Sequence, residues 1–267
     1  MRKIVSLLIA GITVAAGVLI GTPAYAATTY HYAVGNQTGL VADGAAVNIT
    51  VESPFVSSAD GSNAHSLAEL VVQSADLKDR IEVGWRKKTT GTPKLFVYHA
   101  INGVGQGYDL CTDYATEPRN TGADLSAYAT LPAPGPRFQI VNTGTAWWVA
   151  FDLKWVCYFP NSVWTNAGRT FNKVNTVQAY GEVASTLTAT PCTDMGDGQF
   201  GTSGTAAQIG SYSLQGLTSG GPANFSIYTT PATSVYTVNV VTPGETFRYG
   251  GTGYNSSGGT PGSAGSC

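Results

Sequence analysis

The chain has 267 residues, with 14 Lys+Arg against 16 Asp+Glu for a formal net charge of −2, and only 11% of its residues are charged. That balance offers no basic surface and argues against nucleic acid or an anionic membrane as a partner. The length suits one large domain whose core is sizeable enough not to depend on disulfides.

Residues 1–26 read as an export signal. Arg2 and Lys3 give a positive start, residues 4–20 are apolar apart from Ser6 and Thr13, and Ala24-Tyr25-Ala26 offers a small-x-small cleavage site. A membrane anchor is the rival reading, but the stretch is short for a span and no stop-transfer charges follow. Cleavage would leave a secreted single domain, 27–267, with 12 Lys+Arg against 16 Asp+Glu, no membrane attachment and a monomeric state.

Alternation dominates the mature chain. Val47-Asn48-Ile49-Thr50-Val51, Lys94-Leu95-Phe96-Val97-Tyr98 and Arg137-Phe138-Gln139-Ile140-Val141 read as strands. Residues 147–158 form a long aromatic and β-branched run, and 225–228 and 235–240 continue the pattern. Turn clusters separate them, among them Thr90-Gly91-Thr92-Pro93, Asn142-Thr143-Gly144 and Thr242-Pro243-Gly244. Only residues 65–77 admit a helix: Leu67, Leu70 and Val71 have helical spacing, whereas Val71-Val72 favours a strand. Many strands joined by short polar connections, with no βαβ rhythm, predict an all-β antiparallel sandwich or barrel. From Gly250 the tail is rich in Gly and Ser.

Four cysteines, Cys111, Cys157, Cys192 and Cys267, imply two disulfides in an oxidising compartment. Three pairings exist, of which we favour Cys157–Cys192 with Cys111–Cys267. No CxxC occurs and only His31, His65 and His99 could assist, so neither spacing nor clustering supports a metal site. No cofactor fingerprint or G-x-S-x-G elbow is present. Asp194-Met195-Gly196-Asp197-Gly198 lacks the frame of a calcium loop and reads as a turn.

The chemistry lies in two glutamates among only six. Glu82, in Ile81-Glu82-Val83-Gly84-Trp85, and Glu182, in Tyr180-Gly181-Glu182-Val183, each interrupt an apolar strand. A carboxylate there is costly to bury unless it is paired or used. Read singly, each is equally a solvent-facing strand acid, and Arg80, Arg86 and Lys87 would give Glu82 surface partners. On a regular strand Trp85 points with Ile81 and Val83, away from Glu82, unless Gly84 introduces a bulge. Trp147 and Trp148 fall on opposite strand faces; most aromatics of this region belong to a core, and the remainder could line a groove.

In order along the chain, these motifs resemble those of the neprosin-like glutamic endopeptidases. Ile81-Glu82-Val83-Gly84-Trp85 is similar to I-E-x-G-W, Trp147-Trp148 to the paired tryptophans, and Tyr158-Phe159-Pro160 to Y-W-P. Gly181-Glu182-Val183 is similar to the end of G-G-E-V, Met195-Gly196-Asp197-Gly198 to M-G-S-G, and Arg248-Tyr249-Gly250-Gly251-Thr252-Gly253 to the closing Y-Y-G-G-P-G. The resemblance implies a lectin-like β-sandwich with a concave cleft, and a metal-independent endopeptidase acting on peptides or proteins at acidic pH, after proline. It makes Glu82 and Glu182 the catalytic dyad, and Trp85, Trp148 and Tyr180 candidates to stack on the proline ring. Tyr180 stands where the family has Gly, Ala179 where Trp is common, and Tyr108-Asp109-Leu110-Cys111 lacks one cysteine of the family's C-Y-N-L-x-C. Core-like residues 30–35 follow the cleavage site almost at once, so no N-terminal pro-domain is expected.

Two carboxyls held close would share a proton, one drawing a proton from water and the other donating to the carbonyl oxygen or leaving nitrogen. A carbohydrate-binding sandwich with no catalysis, and a two-carboxylate glycoside hydrolase, are the competing readings.

Overall fold

The computed structural model describes residues 28–114, 121–186, 190–230 and 234–253. The expected signal peptide, Cys267 and the tail from residue 254 lie outside the described residues.

Among the described residues fifteen strands follow one another. They begin with β1 (Thr29–Ala42), β2 (Gly44–Ile49), β3 (His65–Gln73), β4 (Arg80–Lys88) and β5 (Lys94–Ile101). Next come β6 (Val104–Tyr108), β7 (Thr112–Asp113), β8 (Arg137–Asn142), β9 (Ala146–Phe151) and β10 (Lys154–Pro160). One turn of helix, α1 (Ser162–Thr165), precedes β11 (Val174–Ser185), β12 (Gln208–Gln215), β13 (Ser226–Thr230), β14 (Thr237–Thr242) and β15 (Thr246–Gly250). They form two antiparallel sheets, a seven-stranded one ordered β13-β1-β11-β3-β4-β5-β6 and an eight-stranded one ordered β14-β15-β12-β2-β8-β9-β10-β7. This is the expected all-β sandwich.

The period-2 pattern sets the inner faces. Ile81, Val83 and Trp85 of β4 meet Val47 and Ile49 of β2 and Phe138 and Ile140 of β8 in one core. Buried indoles need acceptors, and each finds a carbonyl: Trp85 Nε1 donates to Thr50 O, Trp147 Nε1 to Phe171 O and Trp164 Nε1 to Ala100 O.

Residues 65–73, where helix and strand were both open, form the central strand β3, and all nine are buried. A strand covered on both faces can carry apolar residues on either face, so Leu67, Leu70 and Val71 mimic a helical stripe. The aromatic run 147–158 is two strands. Asp152 and Leu153 both take positive φ, 50° and 64°, and turn β9 back into β10 without a glycine.

The disulfide pairing differs from the one favoured above. Cys111 bonds Cys157, with Cα atoms 5.8 Å apart. β7 pairs with β10 so that Asp113 faces Cys157, which brings Cys111 alongside it; this replaces the Cys157–Cys192 and Cys111–Cys267 pairing. No described cysteine is free.

The end of β11 is fastened by a buried acid. Asp60 is fully buried, and its carboxylate accepts from Ser185 Oγ at 2.8 Å, from Thr193 Oγ1 and from the Cys192 amide at 3.0 Å. Asp60→Ala strands several buried donors at about 1–3 kcal/mol each, so unfolding free energy should fall by about 3 kcal/mol or more. A lowered urea midpoint with an unchanged m-value would register that loss.

Candidate active site

The site lies on the face of the seven-stranded sheet that points away from the second sheet. Alternation on β4 sends Trp85 into the core and Glu82 out of it. The register builds three neighbouring rows of side chains on this face. In one, Tyr32, Glu182, Leu67 and Arg86 stand side by side across β1, β11, β3 and β4. In the next, Val34, Tyr180, Glu69, Gly84 and Phe96 cross β1, β11, β3, β4 and β5. In the third, Gln178, Val71, Glu82 and Tyr98 do so.

Three glutamates therefore fall on a diagonal: Glu182, Glu69, Glu82. All three line one cavity of about 570 Å³, walled largely by tyrosines 32, 98, 108, 180 and 228. Their residues are 7%, 2% and 8% exposed. Glu69 is the diagonal neighbour of each of the others, at about 7–8 Å between Cα atoms. Glu82 and Glu182 are thus two strands and four residues apart, about 15 Å at the backbone.

Each carboxyl has its own company. Glu182 Oε1 lies 2.9 Å from His65 Nε2, while His65 Nδ1 lies 2.8 Å from the Asn63 carbonyl oxygen. A carbonyl can only accept, so Nδ1 carries a proton. The other ring nitrogen, Nε2, is the one that faces the Glu182 carboxyl. Glu82 Oε1 lies 2.6 Å from Arg80 Nε in an ion pair, although the Nε–H is not aligned on that oxygen as in a good hydrogen bond. Burial nevertheless outweighs the opposing pull of Arg80 and, with the charge of Glu182, pushes the Glu82 carboxyl up to about 7. Burial, then the charges of Glu82 and Glu182, push Glu69 well above the usual carboxylate range, against a hydrogen bond with Tyr180.

The motif glycines make room for this arrangement. A Cβ on Gly84 would come within 2.7 Å of both Cα and Cβ of Glu69 and 2.1 Å of the Ala68 carbonyl oxygen. A Cβ on Gly181 would enter the Tyr249 ring at 2.2 Å, so the strand carrying Glu182 can rest on that ring only as glycine.

Of the three aromatic residues expected to meet substrate, Tyr180 lines the cavity. Trp85 does not: no bulge occurs at Gly84, the alternation holds, and the indole is fully buried against the second sheet. Trp148 lies on the second sheet, in β9, where it stacks on Tyr158 at 4.9 Å and meets Trp155 at 5.5 Å. The aromatic wall is tyrosine instead. The reading of the sequence also missed Glu69 and His65. Glu69 was legible as a third acid inside an apolar run, but the helical alternative for that segment hid the face it would share. Among the described residues, no group of three or more His, Cys, Asp or Glu is placed to hold a metal ion.

Several solved structures match the chain at low identity. Scytalido-glutamic peptidase, solved with a transition state analog inhibitor, is 11% identical; the match covers 84% of this chain and 100% of that one, with a TM-score of 0.47. SCP-B, a member of the eqolisin family of peptidases solved with the tripeptide Ala-Ile-His, is 13% identical, with 85% and 100% covered and a TM-score of 0.45. CG-16, a homodimeric agglutinin from chicken liver, is 14% identical, with 56% and 93% covered and a TM-score of 0.34. No curated protein matches the chain. The model of the family described as Neprosin matches residues 62–252, a span that contains Glu69, Glu82 and Glu182, and the chain belongs to the neprosin family.

Proposed function

We propose that the protein is a secreted glutamic endopeptidase that hydrolyses peptide bonds at acidic pH, with a preference for cleavage after proline. The observation that carries this reading is the pair of buried carboxyls on one cavity face, each prepared for a different half of the reaction. Membership of the neprosin family supports it. So do the titles of similar folds that name glutamic and eqolisin peptidases, as analogy. Among the described residues no helix is long and apolar enough to cross a membrane.

Glu182 is the base. Its carboxyl is held by His65 Nε2 at 2.9 Å, and as a carboxylate it can take a proton from a water bound against the substrate. Glu82 is the acid. With its carboxyl pushed up to about 7 it holds a proton through the acidic range and donates it to the leaving nitrogen. The Arg80 guanidinium beside Glu82 and the tyrosine hydroxyls around the cavity supply positive charge and donors for the oxyanion of the tetrahedral intermediate. A prolyl ring, apolar and rigid, fits against tyrosine faces such as those of Tyr98 and Tyr108, whose rings lie 5.1 Å apart.

Glu82→Gln and Glu182→Gln keep shape and remove the proton-transfer group, so each should lower kcat by about 10²–10⁴-fold while leaving the fold intact. Rates on a proline-containing peptide, with fragment masses and a circular dichroism spectrum, test this; wild-type turnover in either variant would overturn the assignment. Polysaccharide hydrolysis or glycan binding without proteolysis would point instead to a glycosidase or a binding module.

Because the acid must carry its proton, kcat/KM should decline as pH rises through about 7, the range set by burial of Glu82 among Arg80, Glu69 and Glu182. A profile that stays flat to pH 9 would exclude Glu82 as the acid.

Stability should follow the same direction. Glu82 and Glu52 are both raised from 4.5 to about 7, chiefly by burial, so the folded chain binds protons that the unfolded chain releases. Their contribution is complete below about pH 4.5 and is lost as pH climbs to about 7. Asp76 acts oppositely: its hydrogen bond with Arg169 holds it down to about 2, and its contribution fades only below the unfolded value of 3.8. Thermal melting across pH should therefore give a higher Tm near pH 4.5 than near pH 8.

A further inference from the structure

Hydrolysis by this pair leaves its protons in the wrong places. When the bond has broken, Glu182 holds the proton taken from water and Glu82 has given its own to the amine. The next turnover needs the reverse. A route within the protein takes the proton from Glu182 to Glu82 across a backbone gap of about 15 Å, between two side chains that are each largely buried.

Glu69 is the group on that line. It is the diagonal neighbour of both, on the strand between theirs and on the same face. At about 7–8 Å between Cα atoms, long side chains in such a relation reach one another directly or through one water. It is 2% exposed, and its Oε2 is buried with no hydrogen-bond partner. Tyr180 bonds the carboxyl, and the charged groups facing it are Arg80 and Glu82 from β4 and Glu182 from β11. Gly84 stands directly opposite with no side chain, and any Cβ there would collide with Glu69. Packing alone does not call for an acid at this position; a leucine would fill it without the cost of burying a carboxyl that has an unpaired oxygen.

We propose that Glu69 is a positioning residue that returns a proton from Glu182 to Glu82 after each turnover, an inference that rests on the reading of Glu82 as acid and Glu182 as base. The neutral Glu69 carboxyl gives its proton to the Glu82 carboxylate: the O–H bond at Glu69 breaks and one at Glu82 forms. The Glu69 carboxylate then takes the proton held on Glu182, which becomes a carboxylate again. Glu69 ends as it began, no electrons change hands and no co-reactant is consumed. Burial favours the neutral form of Glu69 that the first transfer requires.

The test is Glu69→Gln, which keeps the shape and the bond to Tyr180 but cannot pass a proton on. Resetting follows cleavage, so kcat should drop about tenfold or more while kcat/KM stays within about threefold of wild type. At fixed pH and ionic strength, rising acetate should restore kcat, because a small carboxylic acid can shuttle the same proton. Wild-type kcat, or equal losses in kcat and kcat/KM that acetate does not relieve, would overturn the relay. Glu82→Gln and Glu182→Gln, measured in parallel, separate the two ideas: activity in either defeats the acid–base reading and the relay with it. Inactivity in both beside a wild-type Glu69→Gln defeats the relay alone. If Glu69→Gln does not fold, ¹³C NMR of the wild-type chain labelled at its glutamate carboxyls decides: three interdependent titrations support the relay, and two overturn it.

Discussion

Three carboxyls held out of water on one face of one sheet are the constraint around which the molecule is arranged. An isolated buried carboxylate costs far more than a domain can spare, so such groups either find partners or stay protonated. Both outcomes occur here. Glu182 has His65 and Glu82 has Arg80. Glu69 has no ion-pair partner, and burial pushes it well above the usual carboxylate range. The diagonal placement follows directly from the antiparallel register, because a one-residue slip of β11 or β4 against β3 would turn one acid into the core.

That register is held from beneath. The indole of Trp85 is locked by its bond to the Thr50 carbonyl, which fixes the rotation of β4 and hence the direction of Glu82. Tyr249 of the second sheet presses into the space left by Gly181, next to Glu182. Asp60 gathers Ser185, Thr193 and the amide of Cys192 at the end of β11. The core face and the cavity face of the same strands are thus one device: aromatic packing below sets the angles of the acids above.

The architecture was legible in the sequence because period-2 alternation survives wherever one sheet face is buried and the other is not. Residues 94–98 and 137–141 lie within β5 and β8 for that reason. It failed where both faces are covered, at β3, and where a turn lacks its usual residues, at Asp152-Leu153. The positions of Glu82 and Glu182 were legible as acids that interrupt apolar strands, but their spacing was not. Separation depends on which strand lies between them and on its register, and neither is written in the local pattern. The same ignorance hid Glu69, whose segment was open to a helical reading. The preference for tryptophan as the substrate wall failed at Trp85 although the alternation itself pointed that residue inward. The disulfide was illegible because pairing depends on β7 lying against β10, a contact between a two-residue strand and one more than forty residues on.

The charge of the cavity ties these features to acid conditions. With all three carboxyls ionised, the site would hold three negative charges against the positive charge of Arg80. Burial opposes that state by raising Glu69 and Glu82. With those two protonated, the charge of Arg80 faces at most a single carboxylate. The first state would repel the oxyanion of the proposed peptide hydrolysis; the second removes that repulsion. The same burial that raises the carboxyls therefore also relieves the negative field of the cavity, so the acidic operation proposed above would follow from where the sheet puts its acids rather than from any one of them.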